Sequence, residues 1–369
     1  MVSLRTPARG GLERGGILRH TTKLVALAAT VALVVAGCAK KEEPGGAAAS
    51  DELCADKSGA GPKIGLAYDI GGRGDKSFND LAAAGVKKAL DDLDATCEEA
   101  EAAQEEPDSA KEERLRTLAE AGFNPIIGVG FVYTEEVVKV AKEYPDVKFA
   151  VVDGFGEGPN VTNLVFSVEQ GSFLVGVAAG LKTKTKKVGF IGGVRGPIID
   201  PFAAGYKAGV AAVDPAITVD MKWLSDKGDA KAFANPAGGK TAATALYDAG
   251  SDVVFHASGL SGGGLFDVAA TKPDGTWAIG VDADQYQTAT PEQQKRILTS
   301  SLKKVDVAVF DYVKAFKDGT TKAGFDLYDI KRDGVGYSTS GGHLDDVSSK
   351  IDEYKAKLVS GELTAPSKL

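Results

Sequence analysis

Three short apolar runs in this sequence stop at a carboxylate. Ile64-Gly65-Leu66-Ala67-Tyr68 leads to Asp69, Phe149-Ala150-Val151-Val152 to Asp153, and Gly280-Val281 to Asp282. Runs of four to seven such residues read as buried strands. In open α/β sheets, ligands collect outside the carboxyl ends of the strands. Other residues stand at comparable places. Asp69 is followed by Gly71-Gly72-Arg73-Gly74-Asp75-Lys76-Ser77-Phe78-Asn79-Asp80, and further run ends carry Gly130-Phe131, Gly192-Gly193, Phe255-His256-Ala257-Ser258-Gly259 and Asp284-Gln285. Acidic oxygens accept from hydroxyls and amides and repel phosphate. The set therefore suits a ligand rich in hydroxyl and amide groups.

Several other chemistries are excluded. Gly71 to Ser77 has the look of a phosphate loop, but Asp75 precedes Lys76 where such a loop needs Gly. No HExxH or CxxC occurs, and the three histidines, His20, His256 and His343, lie far apart. Neither a metal nor a cofactor is expected, and no general-base constellation recommends an enzyme. The 43 Lys+Arg against 51 Asp+Glu leave a formal charge of −8, which gives no footprint for nucleic acid.

The elements that must position these residues alternate strand and helix. Strands are predicted at Lys63 to Tyr68, about Glu98 to Ala103, Pro125 to Gly130, Lys148 to Asp153 and Asn163 to Val168. Helices over Ser77 to Leu93, Ser109 to Ala121 and Thr134 to Glu143 fall between them, and a small-residue helix from Gln170 to Leu181 follows. A second series has strands at Lys187 to Gly192, Ile217 to Trp223, Asp252 to His256 and Thr276 to Asp282, with helices at Asp200 to Val213 and Gly239 to Ala249. Ile297 to Leu302 reads as a further strand and Val305 to Lys317 as a helix. This alternation means parallel sheets covered by helices on both faces. The fold class is α/β, with two doubly wound lobes and a hinged cleft between them. The expected division gives 62–168 and about 297–327 to lobe 1, and 169–296 and about 328–369 to lobe 2. Crossings are expected near 168–186, near 283–296 and after Leu327.

The N-terminus reads as an address. Arg5, Arg9, Arg14, Arg19 and Lys23 precede the apolar run Leu24 to Val35. That run would reach only about 18 Å as a helix, short of the roughly 30 Å bilayer core. It is the h-region of a signal peptide spanning 1–37. Val35-Ala36-Gly37-Cys38 resembles the bacterial lipobox, which implies that Cys38 is lipidated and becomes the new N-terminus at the outer face of the cell membrane. Residues 38–61, rich in Lys, Glu, Gly, Ala and Ser, read as a flexible tether. Cys54 and Cys97 then remain as an even pair in an oxidising compartment, just before two neighbouring parallel strands, and a disulfide between them is expected.

Taken in order, Asp69-x-Gly-Gly, Asp75-Lys76-Ser77-Phe78-Asn79, Gly128-Val129-Gly130-Phe131, Tyr144-Pro145-Asp146 and Phe149 to Asp153 resemble the basic membrane protein (BMP) family. Gly192-Gly193, Phe202, Gly205-Tyr206, Phe255 to Gly259, Gly280-Val281-Asp282-x-Asp284-Gln285 and Thr299-Ser300 with Lys303 and Val305 to Val309 continue the match over nearly all of the mature chain. The resemblance implies a lipoprotein substrate-binding component of an ABC importer with a periplasmic-binding-protein type I fold. A nucleoside, purine by expectation, is the implied ligand, and ABC permease subunits are the implied partners of a monomer. It further implies that Phe78 and Phe255 sandwich the base from opposite lobes. Asp282 and Lys303 would hold ribose hydroxyls, while Asp69, Asn79 and Asp153 would read polar edges of base or sugar. Residue types alone leave plainer roles open: Phe78 or Phe255 as core, Asp69 or Asp75 as helix caps, Asp153-Gly154 as a turn and Lys303 as a solvated charge. One residue of register exchanges Phe255 with His256. A sugar or another small polar ligand, and a sensor without a transport role, are the alternatives.

Overall fold

The computed structural model describes residues 53–369 apart from 57, 104, 105 and 227, all within one compact unit, 49–369. The leader, Cys38 and most of the tether lie outside the described residues. In chain order the first lobe opens with β1 (Lys63–Ala67), α1 (Phe78–Leu93), β2 (Thr96–Ala100) and α2 (Asp108–Glu120). It continues with β3 (Ile126–Val129), α3 (Thr134–Glu143), β4 (Phe149–Val152) and β5 (Val161–Phe166). Then come α4 (Val168–Lys182), β6 (Lys187–Val194), α5 (Asp200–Val213), β7 (Thr218–Ser225), α6 (Pro236–Asp248) and β8 (Val253–Ala257). The chain ends with α7 (Gly263–Ala270), β9 (Trp277–Asp282), α8 (Pro291–Gln294), β10 (Ile297–Lys303), α9 (Val305–Lys317), β11 (Gly324–Tyr328), β12 (Val335–Tyr337) and α10 (Ser348–Ser360).

Two six-stranded sheets result, ordered β11-β5-β4-β3-β1-β2 and β12-β10-β9-β8-β6-β7. Every pairing is parallel except the antiparallel β10–β12 pair. The central strands β3 and β4 are buried at every residue, as strands covered on both faces must be. In each sheet the order reverses beside its first strand, β1 or β6, and such switch points open a crevice at the strand ends. Cys54 and Cys97 are joined as a disulfide, and Cys97 lies within β2. That strand starts two residues earlier than the sequence pattern placed it.

The expected division of the chain needs one correction. β10 pairs with β9 and β12, so 297–303 belongs to the second sheet and not to lobe 1. Each lobe takes a fifth parallel strand from its own series, and the chain crosses only afterwards. α4, following β5, packs on α5 in the second lobe, and α9, following β10, packs on α1 in the first. The crossings therefore fall at 166–168, 303–305 and 328–335, and the expected one at 283–296 is absent. They are laced together: Ser167 N donates to Tyr328 O at 3.1 Å and Lys304 N to Gly334 O at 2.9 Å.

Candidate ligand-binding site

The carboxyl ends of the two sheets face one another across a cavity. The turn after β1 and the start of α1 supply Asp69, Phe78 and Asn79, and the ends of β3 and β4 supply Phe131 and Asp153. The second lobe contributes Phe202 from α5, Phe233 from the β7–α6 connection, the Ala257–Leu260 segment after β8, and Asp282 and Lys303 at the ends of β9 and β10. Aromatic rings thus enter from both lobes. Phe131 and Phe233 meet edge to face across the cleft with centroids 6.4 Å apart.

Charge is concentrated at the strand ends. Asp153 and Asp282 occupy equivalent places, after β4 and at the end of β9, and both adopt left-handed φ angles, +60° and +62°. Non-glycine residues rarely do so, and such backbone persists where surrounding structure enforces it. Lys303, 3% exposed, forms an ion pair with Asp153 across the lobes. Its ammonium also sits 4.5 Å from the Phe78 ring centroid and 5.1 Å from that of Phe166. Burial raises the Asp282 carboxyl above its ordinary range, partly offset by Lys303 and by the Ser77 hydroxyl, which donates to Oδ2 at 2.9 Å.

Asp75, Asn79 and Asp69 form a relay into the cavity. Asp75 accepts from the backbone N–H of Ser77, Asn79 and Asp80 at 2.9, 2.8 and 3.1 Å, so it caps α1. Both Asn79 amide hydrogens are taken: Nδ2 donates to Asp69 Oδ1 at 2.9 Å and to Asp75 Oδ2 at 3.1 Å. Those bonds set the orientation of the amide. Asn79 Oδ1 is left buried without a partner in a residue that lines the cavity. A ligand N–H or O–H is the donor such an oxygen lacks. Withdrawal from water pushes the Asp69 carboxyl up to about 8; Asn79 opposes this while Asp75 and Asp153 add to it. Asp75 itself is pushed up to about 6 by burial, against its three backbone donors.

Six of the seven residues singled out as ligand contacts, Asp69, Phe78, Asn79, Asp153, Asp282 and Lys303, wall this one cavity. Phe255 does not, and its assignment to the base sandwich is corrected. It is 0% exposed inside the second lobe, with ring centroids 5.5 Å from Phe190 and 5.2 Å from Tyr206. β8 is a central strand that runs on to Ala257, so the cleft begins two residues beyond Phe255. His256 is also fully buried, beside Gln285. The aromatic groups that do enter from this lobe are Phe202 and Phe233. Phe233 lies in a short 3₁₀ turn without hydrophobic periodicity. One signal for it was present: a Cβ at Gly193 would stand 2.3 Å from the Phe233 ring, so the glycine pair at the end of β6 makes room for a bulky neighbour.

Two α/β lobes around a walled cavity are the architecture of a solute-binding protein, and known proteins of that class resemble this chain. Residues 62–368 match the family model described as ABC transporter substrate-binding protein, PnrA-like. The chain is 36% identical to a CD4+ T-cell-stimulating antigen of Listeria innocua over 85% of this chain and 90% of that one. It is 34% identical to the ABC transporter nucleoside-binding protein BmpA of Lactococcus lactis, over 67% and 72%. A solved solute-binding protein of an Aeropyrum pernix ABC transporter system superposes with a TM-score of 0.70 at 26% identity, covering 83% of this chain and 94% of that one. The chain belongs to the PnrA-like, or BMP, family of ABC transporter substrate-binding proteins, with a type I periplasmic-binding-protein fold. Among the described residues, no helix is long and apolar enough to cross a membrane.

Proposed function

We propose that this protein is a lipid-anchored receptor that captures a purine nucleoside between its lobes and delivers it to an ABC permease. The observation that carries the reading is the pairing of aromatic walls from opposite lobes with Asp153, Asp282 and Lys303 at the strand ends. A flat heterocycle held between Phe78 and Phe233 gains about 0.5–1.5 kcal/mol per aromatic pair beyond burial. Asp282 then accepts from ribose hydroxyls, Lys303 donates to them, and Asn79 Oδ1 accepts from an N–H of the base. The name of the Lactococcus lactis relative supports a nucleoside ligand. Hinge closure buries the ligand, and the permease reads the closed shape. The lipobox-like sequence at Cys38 supports the anchor, and Cys38→Ser is expected to abolish incorporation of labelled palmitate.

The test is isothermal titration of residues 39–369, unfolded and refolded to strip carried-over ligand, with inosine, guanosine, adenosine, cytidine and ribose. Micromolar or tighter binding of purine nucleosides without ribose binding is expected. Binding of ribose alone would discard the nucleoside.

A further inference from the structure

The turn that carries Phe78 and Asn79 belongs to the first lobe, yet its hydrogen bonds reach into the second. Ser77 is fully buried, and its hydroxyl faces Asp282 Oδ2 at 2.9 Å and the Val281 carbonyl oxygen at 3.2 Å. One residue earlier, the Lys76 carbonyl accepts from Gln285 Nε2 at 3.4 Å, and Lys76 Nζ donates to the Thr288 carbonyl at 3.3 Å. Lys76 holds a left-handed φ of +55°, which turns its carbonyl and the Ser77 hydroxyl toward the same patch of the second lobe.

Gln285 is built to receive this turn. It is 4% exposed, and its backbone N–H donates to Ser300 Oγ at 3.2 Å. Its Oε1 accepts from Val281 N at 2.9 Å and lies 3.0 Å from His256 Nε2. An amide oxygen only accepts, so the network assigns the proton to His256 Nε2 and leaves Nδ1 to accept from Ser258 Oγ at 3.3 Å. Ser258 lines the cavity. A buried chain of polar groups therefore runs from the cavity wall through His256 and Gln285 to the opposite lobe.

We propose that Ser77 and Gln285 are positioning residues that latch the Lys76–Ser77 turn of the first lobe onto the end of β9, so that closure is held by bonds beside the ligand's own contacts. This rests on the cleft-binding reading above. A receptor binds with its intrinsic affinity scaled by the fraction of molecules able to close, so the latch sets residence time without touching the ligand. The hydroxyl–carboxylate bond is a charge-assisted one, and its loss should act on dissociation more than on association.

The test compares wild type, Ser77→Ala and Ser77→Thr, each as refolded residues 39–369. One measurement is small-angle scattering without ligand, and the other is stopped-flow dissociation of inosine. Ser77→Ala should show a larger radius of gyration and about tenfold faster dissociation at a nearly unchanged association rate. Ser77→Thr, which keeps the hydroxyl, should move back toward wild type in both. Gln285→Met removes the amide bond to the Lys76 carbonyl, and it serves in the same assays where Ser77→Ala does not fold. A scattering profile superimposable on wild type together with an unchanged dissociation rate overturns the latch. Failure of inosine to bind wild type instead rejects the nucleoside reading, and the scattering comparison alone then decides the latch.

Discussion

Asp69 has its carboxyl held among other carboxylates and away from bulk water, and this ties its proton to folding. Its folded pKa of about 8 lies far above an ordinary carboxylate, so the folded protein binds the extra proton between about pH 4 and 8. Stability therefore falls as pH rises through that window. Asp75 acts in the same direction but is finished by about 6. His256, pushed down to about 4 by burial, makes stability rise with pH only up to its ordinary value near 6.5. Between pH 6.5 and 8 the Asp69 contribution stands alone among these three. The melting temperature of the ligand-free protein should decline across that interval, and Asp69→Asn should flatten the decline. A wild-type curve already flat there would refute the assignment. The phenylalanines separate by a second measurement. Phe78→Ala and Phe233→Ala should each weaken inosine binding at least tenfold with little change in melting temperature. Phe255→Ala should instead lower stability by about 3–5 kcal/mol, because it empties a filled core. Equal behaviour of the three variants would contradict this division. Strand-end carboxylates were legible in sequence because Asp153 and Asp282 interrupt apolar runs. Phe255 misled because a strand-end aromatic and a core aromatic look alike until the last paired residue is known.

Secondary structure positions the site through one short turn. Asp75 gathers three backbone N–H groups and the Asn79 amide, so the start of α1 is fixed before any ligand arrives. Asp75→Ala should cost about 1–2 kcal/mol as the loss of a helix cap. It should also weaken ligand binding, because Phe78 and Asn79 ride on that turn; denaturant melts and titration together measure both. Loss of stability with full affinity would show that the cap serves the helix alone. Helix and strand bounds were readable to within a few residues: α3, α5 and α9 fall where periodicity put them. Sheet membership was not. Ile297–Lys303 reads as a strand from its own residues, but nothing local says which sheet it joins. Only the pairing with β9 and β12 decides that.

Across the whole molecule the two lobes repeat one plan, five parallel strands each and then an exchanged helix. The alternation of elements made that plan legible, while the crossing points depend on long-range pairing that no single segment encodes. The Cys54–Cys97 disulfide closes a sequence separation of 43 residues, and a loop of that length restricts the unfolded chain by about 4 kcal/mol on chain-entropy grounds. The Cys54→Ser, Cys97→Ser double variant should unfold at correspondingly lower denaturant, with inosine affinity retained because neither residue lines the cavity. An unchanged midpoint would show that the bond leaves folding stability untouched. The same bond also determines where a mechanical load enters. A pull along the N-terminal segment arrives at Cys54 and passes straight into β2, so the first sheet bears it and the hinge does not. In the lipid-anchored receptor proposed above, the first lobe is then the stator and the second the rotor: the swing of opening and closing falls to the half of the molecule that the leash does not restrain.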